Sequence, residues 1–410
     1  MRTALAAVAV LLAGCGGGAP SASPESAADV RALAAHLQAT HPRLHHSLPR
    51  ARFLAARDAL ERRVPQLDRD ELLVELMRFL ALVGERDGHT GIFPLDPAHR
   101  QPLHLFPLRL YHFPDGVHVV GQVGPRRDLV GKRLVAVAGV PVERALARVR
   151  PLVPRDNEHS RRARAVVWLV TAEVLRGLGI ATGDRARFSF ADGTEAELAA
   201  VPAPRYAAAF ADLFHPMIPL GLPRRPSPPF LQHRERGIWT AVLGGGRTVY
   251  VAYNVMTVST HGVADRVRRL AARPHVDRVL LDLRHNPGGD YFTSTPLLEA
   301  LRQLPRRVQL VVLIGRTTFS AAQILAVDLE RGLRPRFVGE PTGGAPELWG
   351  DPAARQLPVS GWNANVATVH WRHGRRGDRR SAIRPHVPVR YTAADFFGGR
   401  DPVLAAALRR

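Results

Sequence analysis

Apolar positions recur largely at three- and four-residue steps between residues 29 and 83, at Leu33, Leu37, Phe53, Leu54, Leu60, Leu72, Leu73, Leu76, Leu80 and Val83, with Pro42, Pro49 and Pro65 between the runs. That spacing predicts amphipathic helices broken at the prolines, ending at Gly84. Beyond it the pattern shortens to strands at 105–110, 117–120 and 134–137, followed by a turn at Gly139 and a helix over 142–149. A second helical stretch is expected over 161–176, and 188–201 reads as a hairpin turning on Asp192-Gly193. The Pro-rich segment 216–229 reads as a linker. After it the runs become continuously apolar at 276–283, 309–314 and 336–339. A helix over 291–304 separates the first two, and one from about 320 to 331, capped by Gly332, separates the last two. This β-α-β-α-β order specifies an α/β core with a parallel sheet and right-handed crossovers.

In such a sheet the strand-to-helix loops emerge together at the carboxyl ends of the strands, where ligand sites of open α/β sheets lie. Segments 285–290, 316–320 and 340–345 therefore share one edge. The first and third carry Gly288-Gly289 and Gly343-Gly344, which let backbone approach a ligand closely. Neither pair is followed by Gly-Lys-Ser/Thr, which argues against a nucleotide loop. Ser320 opens its helix, a position that suits an N-cap and equally a nucleophile. In the second case the Ala321 N–H, with Gly288 or Gly289 as second donor, would form an oxyanion hole at the positive helix end.

Residues 1–15 differ from the rest. Arg2 precedes an apolar run too short to span a membrane, and Leu12-Ala13-Gly14-Cys15 has the form of a bacterial lipobox. Cys15 is the only cysteine, so lipidation there is expected, followed by a flexible tether over 16–28. The implied location is the cell envelope, on the outer face of the cytoplasmic membrane or in the periplasm. The remaining boundaries are a helical subdomain at 29–95, a middle α+β region at 96–215, a linker at 216–235 and the core at 236–410.

The formal charge of +21 is carried almost wholly by arginine, scattered except for Arg375, Arg376, Arg379 and Arg380. With few aromatics and no nucleic-acid motif, this fits attraction to anionic membrane better than nucleic-acid binding. His36, His41, His45 and His46 match no metal-ligand spacing and read as a solvated surface. No metal or cofactor is implied.

Three segments carry a resemblance. Asp282-Leu283-Arg284-His285-Asn286-Pro287-Gly288-Gly289, Thr318-Phe319-Ser320-Ala321-Ala322-Gln323 and Gly339-Glu340-Pro341-Thr342-Gly343-Gly344 resemble, in order and spacing, the motifs of the tail-specific and C-terminal processing serine peptidases, serine peptidase family forty-one. Gly399-Arg400-Asp401-Pro402 fits as well, so the resemblance spans about 239–408. It implies a ClpP/crotonase-like core preceded by a helical region and a PDZ-like unit, a protein or peptide substrate, and Ser320 as nucleophile. The processing peptidases activate serine with a lysine after the third strand, but this chain has Ala345 there, and its one lysine is Lys132 in the middle region.

A neutral hydroxyl still needs a base. Asp87-Gly88-His89-Thr90 resembles the segment that supplies histidine in the tricorn-like Ser–His branch, which implies His89 as general base. His285, on the same sheet edge as Ser320, is the rival base. Asp87, Glu340 and Glu347 are the candidate orienting acids. A histidine base would place the pH midpoint of serine reactivity near the ~6.5 reference value. Two other readings compete: a ligand- or peptide-binding pseudoenzyme, since loss of the lysine is how decay would begin, and a crotonase-type thioester enzyme, which an exported location disfavours.

Overall fold

The computed structural model describes residues 24–84, 86–124, 128–209, 228–233 and 235–409. Cys15, the signal segment and most of the Pro-rich linker lie outside the described residues.

Three helices open the fold, Ala27–Thr40, Arg50–Arg63 and Arg69–Ala81. Their breaks fall where Pro42, Pro49 and Pro65 cannot continue a hydrogen-bonded helix. The third starts on a capping box, with Asp68 Oδ1 accepting from Glu71 N–H at 2.8 Å and Glu71 Oε2 from Asp68 N–H at 2.9 Å. These helices and the middle region share one apolar cluster reaching from Val30 to Tyr206, so they pack as one body.

The middle region holds the hairpin Leu108–Phe113/Gly116–Gln122 and a four-stranded sheet built on Leu134–Val137, Arg185–Phe190 and Glu195–Ala199, with the helix Val142–Val149 beside it. Two expectations are corrected here. The strand expected over 105–110 is split, because Pro107 has no N–H for a ladder. The helix expected over 161–176 is two, Glu158–Trp168 and Ala172–Gly177. Between them Val170 accepts from Phe106 N–H at 2.7 Å and Thr171 bridges Leu105, so these β-branched residues join a strand instead.

The C-terminal part is a six-stranded sheet, ordered Val387–Pro388, Arg336–Gly339, Gln309–Ile314, Arg278–Asp282, Thr248–Tyr253, Ile238–Leu243. All neighbours are parallel except the last pair. Helices His261–Ala271, Thr295–Arg302 and Ala321–Gly332 cover one face, packing on Val249, Val251, Leu281 and Val312. The short helix Pro402–Leu408 covers the other, over Tyr250, Leu280, Val311 and Val338. Burial on both faces is why these strands read as unbroken apolar runs. Gly332 is the last helical residue rather than the cap. Leu333 and Arg334 N–H both reach Leu329 O, and the left-handed residue is Arg334, at φ 47°.

A long hairpin, Glu347–Gln356/Asn363–Arg372, leaves the core and returns to the N-terminal body. Leu357, Trp362, Ala364 and Val366 join the N-terminal cluster. The Asp29 carboxylate accepts from Val359 and Ser360 N–H at 2.8 and 2.9 Å.

Candidate active site

Ser320 and His89, 231 residues apart, meet where the two bodies join, with His89 Nε2 3.0 Å from Ser320 Oγ. Ser320 sits at φ 53°, ψ −127°, a conformation that costs a non-glycine residue of order 1–3 kcal/mol. It precedes the helix Ala321–Gly332, but its side chain makes no cap hydrogen bond, so the hydroxyl is turned to the histidine. The strained turn is held from behind. Thr318 Oγ1 donates to Leu283 O at 2.8 Å, Phe319 N–H to Asn286 O at 3.2 Å, and Gly343 and Gly344 N–H both to Thr318 O at 3.1 Å. The three glycine- and serine-bearing loops thus bond to one another at the sheet edge.

Gly288, at φ 109°, lies against the serine: a Cβ there would come within 2.7 Å of Ser320 Cβ and 2.9 Å of Ala321 N. Its own N–H, expected as an oxyanion donor, is already given to Asn286 Oδ1 at 2.8 Å. Neither the Ala321 N–H nor the Gly289 N–H is spent on an acceptor among the described residues.

His89 is carried on a loop knitted to the C-terminal hairpin. Gly91 and Asn365 exchange backbone bonds at 2.9 and 3.0 Å, Trp349 N–H reaches Arg86 O at 2.9 Å, and Thr90 Oγ1 accepts from Ala367 N–H at 3.0 Å. The imidazole stacks on Phe319, with centroids 4.7 Å apart, and the Arg164 guanidinium covers the Phe319 ring at 4.0 Å. Burial, reinforced by the Arg164 charge, pushes the His89 pKa down to about 4, against weaker opposing pulls from Asp87 and the Trp349 backbone. The free base is therefore the form present at neutral pH. For Nε2 to accept from serine, Nδ1 must carry the proton. Nδ1 is sealed from solvent and has no hydrogen-bond partner among the described residues.

The expected orienting acids are placed elsewhere. Asp87 is fully buried, accepting from Thr90 N–H at 3.0 Å and bonding His41 Nε2 at 3.1 Å. Because His41 Nδ1 accepts from Arg43 N–H at 3.1 Å, Nε2 is the protonated nitrogen and donates to that carboxylate. Glu340 lies 3.4 Å from Arg316, and Glu347 faces His370 at 3.9 Å. His285 packs on Phe230 at 5.2 Å, so the imidazole on the serine is that of His89. His36 and His41, expected on a solvated surface, are buried, the first bonding Ala353 O at 3.2 Å. Lys132 pairs with Asp192 in the middle region. Ala345, at the position of the family lysine, is fully buried.

Sequence reasoning missed Asp156 and Arg164. Asp156 accepts from Gly88 N–H at 2.8 Å, and Arg164 Nη1 donates to Gly88 O at 2.6 Å. Their only local signal was an Asp-Asn pair ahead of a helix, which reads as a cap.

No protein-family model and no curated protein matches the sequence. Solved structures do. The CPAF S499A mutant aligns over 92% of this chain and 95% of its own, at 14% identity and TM-score 0.63. Mature CPAF complexed with lactacystin aligns over 92% and 96%, at 14% identity and TM-score 0.62. The photosystem II D1 C-terminal processing protease aligns over 89% and 93%, at 14% identity and TM-score 0.45. The chain has the mixed α/β fold of CPAF, with its mostly parallel sheet.

Proposed function

We propose that this protein is a serine hydrolase acting on peptide bonds, with Ser320 as nucleophile and His89 as general base. The observation that carries the reading is the 3.0 Å approach of His89 Nε2 to the strained Ser320. His89 takes the proton as Oγ attacks a carbonyl carbon and returns it to the leaving amine. The Ala321 and Gly289 N–H groups meet the negative oxygen at the positive end of the helix, and Gly288 leaves room for it. The peptide substrate rests on the motif resemblance. Treatment with a fluorophosphonate probe should label Ser320 and nothing else, and Ser320→Ala should abolish the label. His89→Gln should slow labelling ~10²-fold or more, the scale of a lost acid–base group. Well-folded protein that stays unlabelled would establish the pseudoenzyme reading instead.

We also propose, from the lipobox form of Leu12-Ala13-Gly14-Cys15, that the enzyme lies outside the cytoplasmic membrane, anchored through Cys15, where its excess of arginine would favour an anionic lipid surface. Cys15→Ser should move the protein from the membrane to the soluble fraction, and equal membrane association of both forms would refute the anchor.

A further inference from the structure

His89 is carried on a loop that, among the described residues, pairs with the C-terminal hairpin at Gly91 and with the segment around Arg155 at Asp87. Asp156 reinforces it from below. It stands one residue ahead of Asn157, which caps the helix Glu158–Trp168, and it is 1% exposed. Its two oxygens are divided between two loops. Oδ1 accepts from Gly88 N–H at 2.8 Å, and Oδ2 accepts from Ala345 N–H at 3.2 Å. Gly88 immediately precedes the base. Ala345 closes the Gly343-Gly344 turn, whose N–H groups hold Thr318, two residues before the nucleophile.

One carboxylate therefore spans the loop of the base and the turn under the serine. The fit needs glycine at 88, where a Cβ would lie 2.9 Å from Asp156 Oδ1 and 2.9 Å from Phe319 Cζ. The charged groups acting on Asp156 are Arg164, from the helix that follows it, and Asp87, from the base loop. The Gly343–Ala345 turn offers only the Ala345 N–H.

Resting on the Ser320–His89 reading, we propose that Asp156 is a positioning residue whose carboxylate ties the Gly88 and Ala345 N–H groups together and so holds His89 at bonding distance from Ser320. Ionised, both oxygens accept. Protonated, one becomes a hydroxyl, accepts poorly, and the link to one loop loosens. Burial pushes this carboxyl up to about 7, against the pull of the two N–H donors and Arg164. The link therefore changes state across neutral pH, well above the range in which His89 itself titrates.

The test is the rate of fluorophosphonate labelling of Ser320 against pH in wild type and Asp156→Asn. Wild type should show two rises, one near pH 4 from His89 and one near 7. The Asn variant should keep the lower rise, lose the upper, and label at least ~10-fold more slowly at pH 8. An unchanged upper rise in the variant, or a wild-type rate, overturns the proposal. A second measurement needs neither the variant nor the reaction. In Ser320→Ala protein, the amide proton shifts of Gly88 and Ala345 should titrate with one common midpoint near neutrality; flat or separate titrations overturn the link. Absence of label at every pH would instead sink the nucleophile reading, while the amide titration still decides whether Asp156 joins the loops.

Discussion

The reactivity of the pair is set by how each residue is held. A serine that served as an ordinary cap would point its hydroxyl into the helix; Ser320 does not, and the strain of its backbone is the cost of that orientation. Gly288→Ala tests how tight the arrangement is. A methyl would meet Ser320 Cβ and Ala321 N from a residue whose φ is 109°, so labelling should fall by ~10²-fold or more with the fold intact by circular dichroism. The pH behaviour of His89 departs from the reference expectation. Its folded pKa, about 4, lies below the unfolded ~6.5. The neutral ring is thus the stabilised form, and the base keeps working as pH falls through 6, failing only near 4. By the same linkage, the stability it contributes is fully present above ~6.5 and is lost as pH falls toward 4. In the Asp156→Asn variant, where the step near 7 is removed, a labelling profile that collapsed at 6.5 would show that burial and Arg164 do not act on the ring as described. What was legible at this scale is Ser320 and His89, because motif segments surround them. Asp156 was not, since a lone buried aspartate leaves no trace in a one-dimensional pattern.

Among the elements, the Asp282-Leu283-Arg284 segment is a structural device beside the chemistry. The Arg284 fork bonds both Asp282 oxygens at 2.7–3.1 Å and both Asp401 oxygens at 2.7 and 2.8 Å, all three side chains being about 5% exposed or less. Asp401 in turn caps the helix Pro402–Leu408, accepting from Leu404 N–H at 2.9 Å, and Tyr250 donates to Asp282 at 2.7 Å. The cluster fastens the C-terminal helix to the strand that leads into the Gly288–Gly289 loop. Arg284→Met would strand two buried carboxylates and should cost about 3–5 kcal/mol in denaturant unfolding. A loss below ~1 kcal/mol would mean that water reaches the site. Three of the parallel strands, Arg278–Asp282, Gln309–Ile314 and Arg336–Gly339, were readable within a residue or two as continuous apolar runs between helical stretches, whereas Thr248–Tyr253 and the two-residue Val387–Pro388 were not read. The hairpin Glu347–Gln356/Asn363–Arg372 escaped notice. Its first strand alternates poorly, with Gly350, Asp351 and Pro352 at its middle, and its burial depends on helices more than 250 residues earlier in the chain.

At the scale of the whole molecule, the site exists only when the two bodies are docked, since the base comes from one and the nucleophile from the other. The boundary at 236 separates them in sequence but not in packing. The hairpin of the C-terminal body buries Leu357, Trp362, Ala364 and Val366 among residues from the N-terminal helices. It also receives the Asp29 cap and the Gly91–Asn365 pairing. Burying a single Leu or Val side chain contributes about 1.5–3 kcal/mol, so these four together approach the net stability of an ordinary domain. Residues 236–410 expressed alone should therefore expose this face, self-associate, and show no labelling of Ser320 above that of the His89→Gln full-length protein. Co-expression with residues 24–235 as a separate chain should restore both solubility and labelling, because the contacts that join the bodies, with Phe230 and Leu231 packed among Tyr111, Phe113, Tyr391 and Phe396, need no covalent link. Sedimentation and probe labelling of the two preparations decide the matter: a soluble, monomeric and reactive 236–410 fragment would show that the serine is activated within its own body and that His89 is not its base.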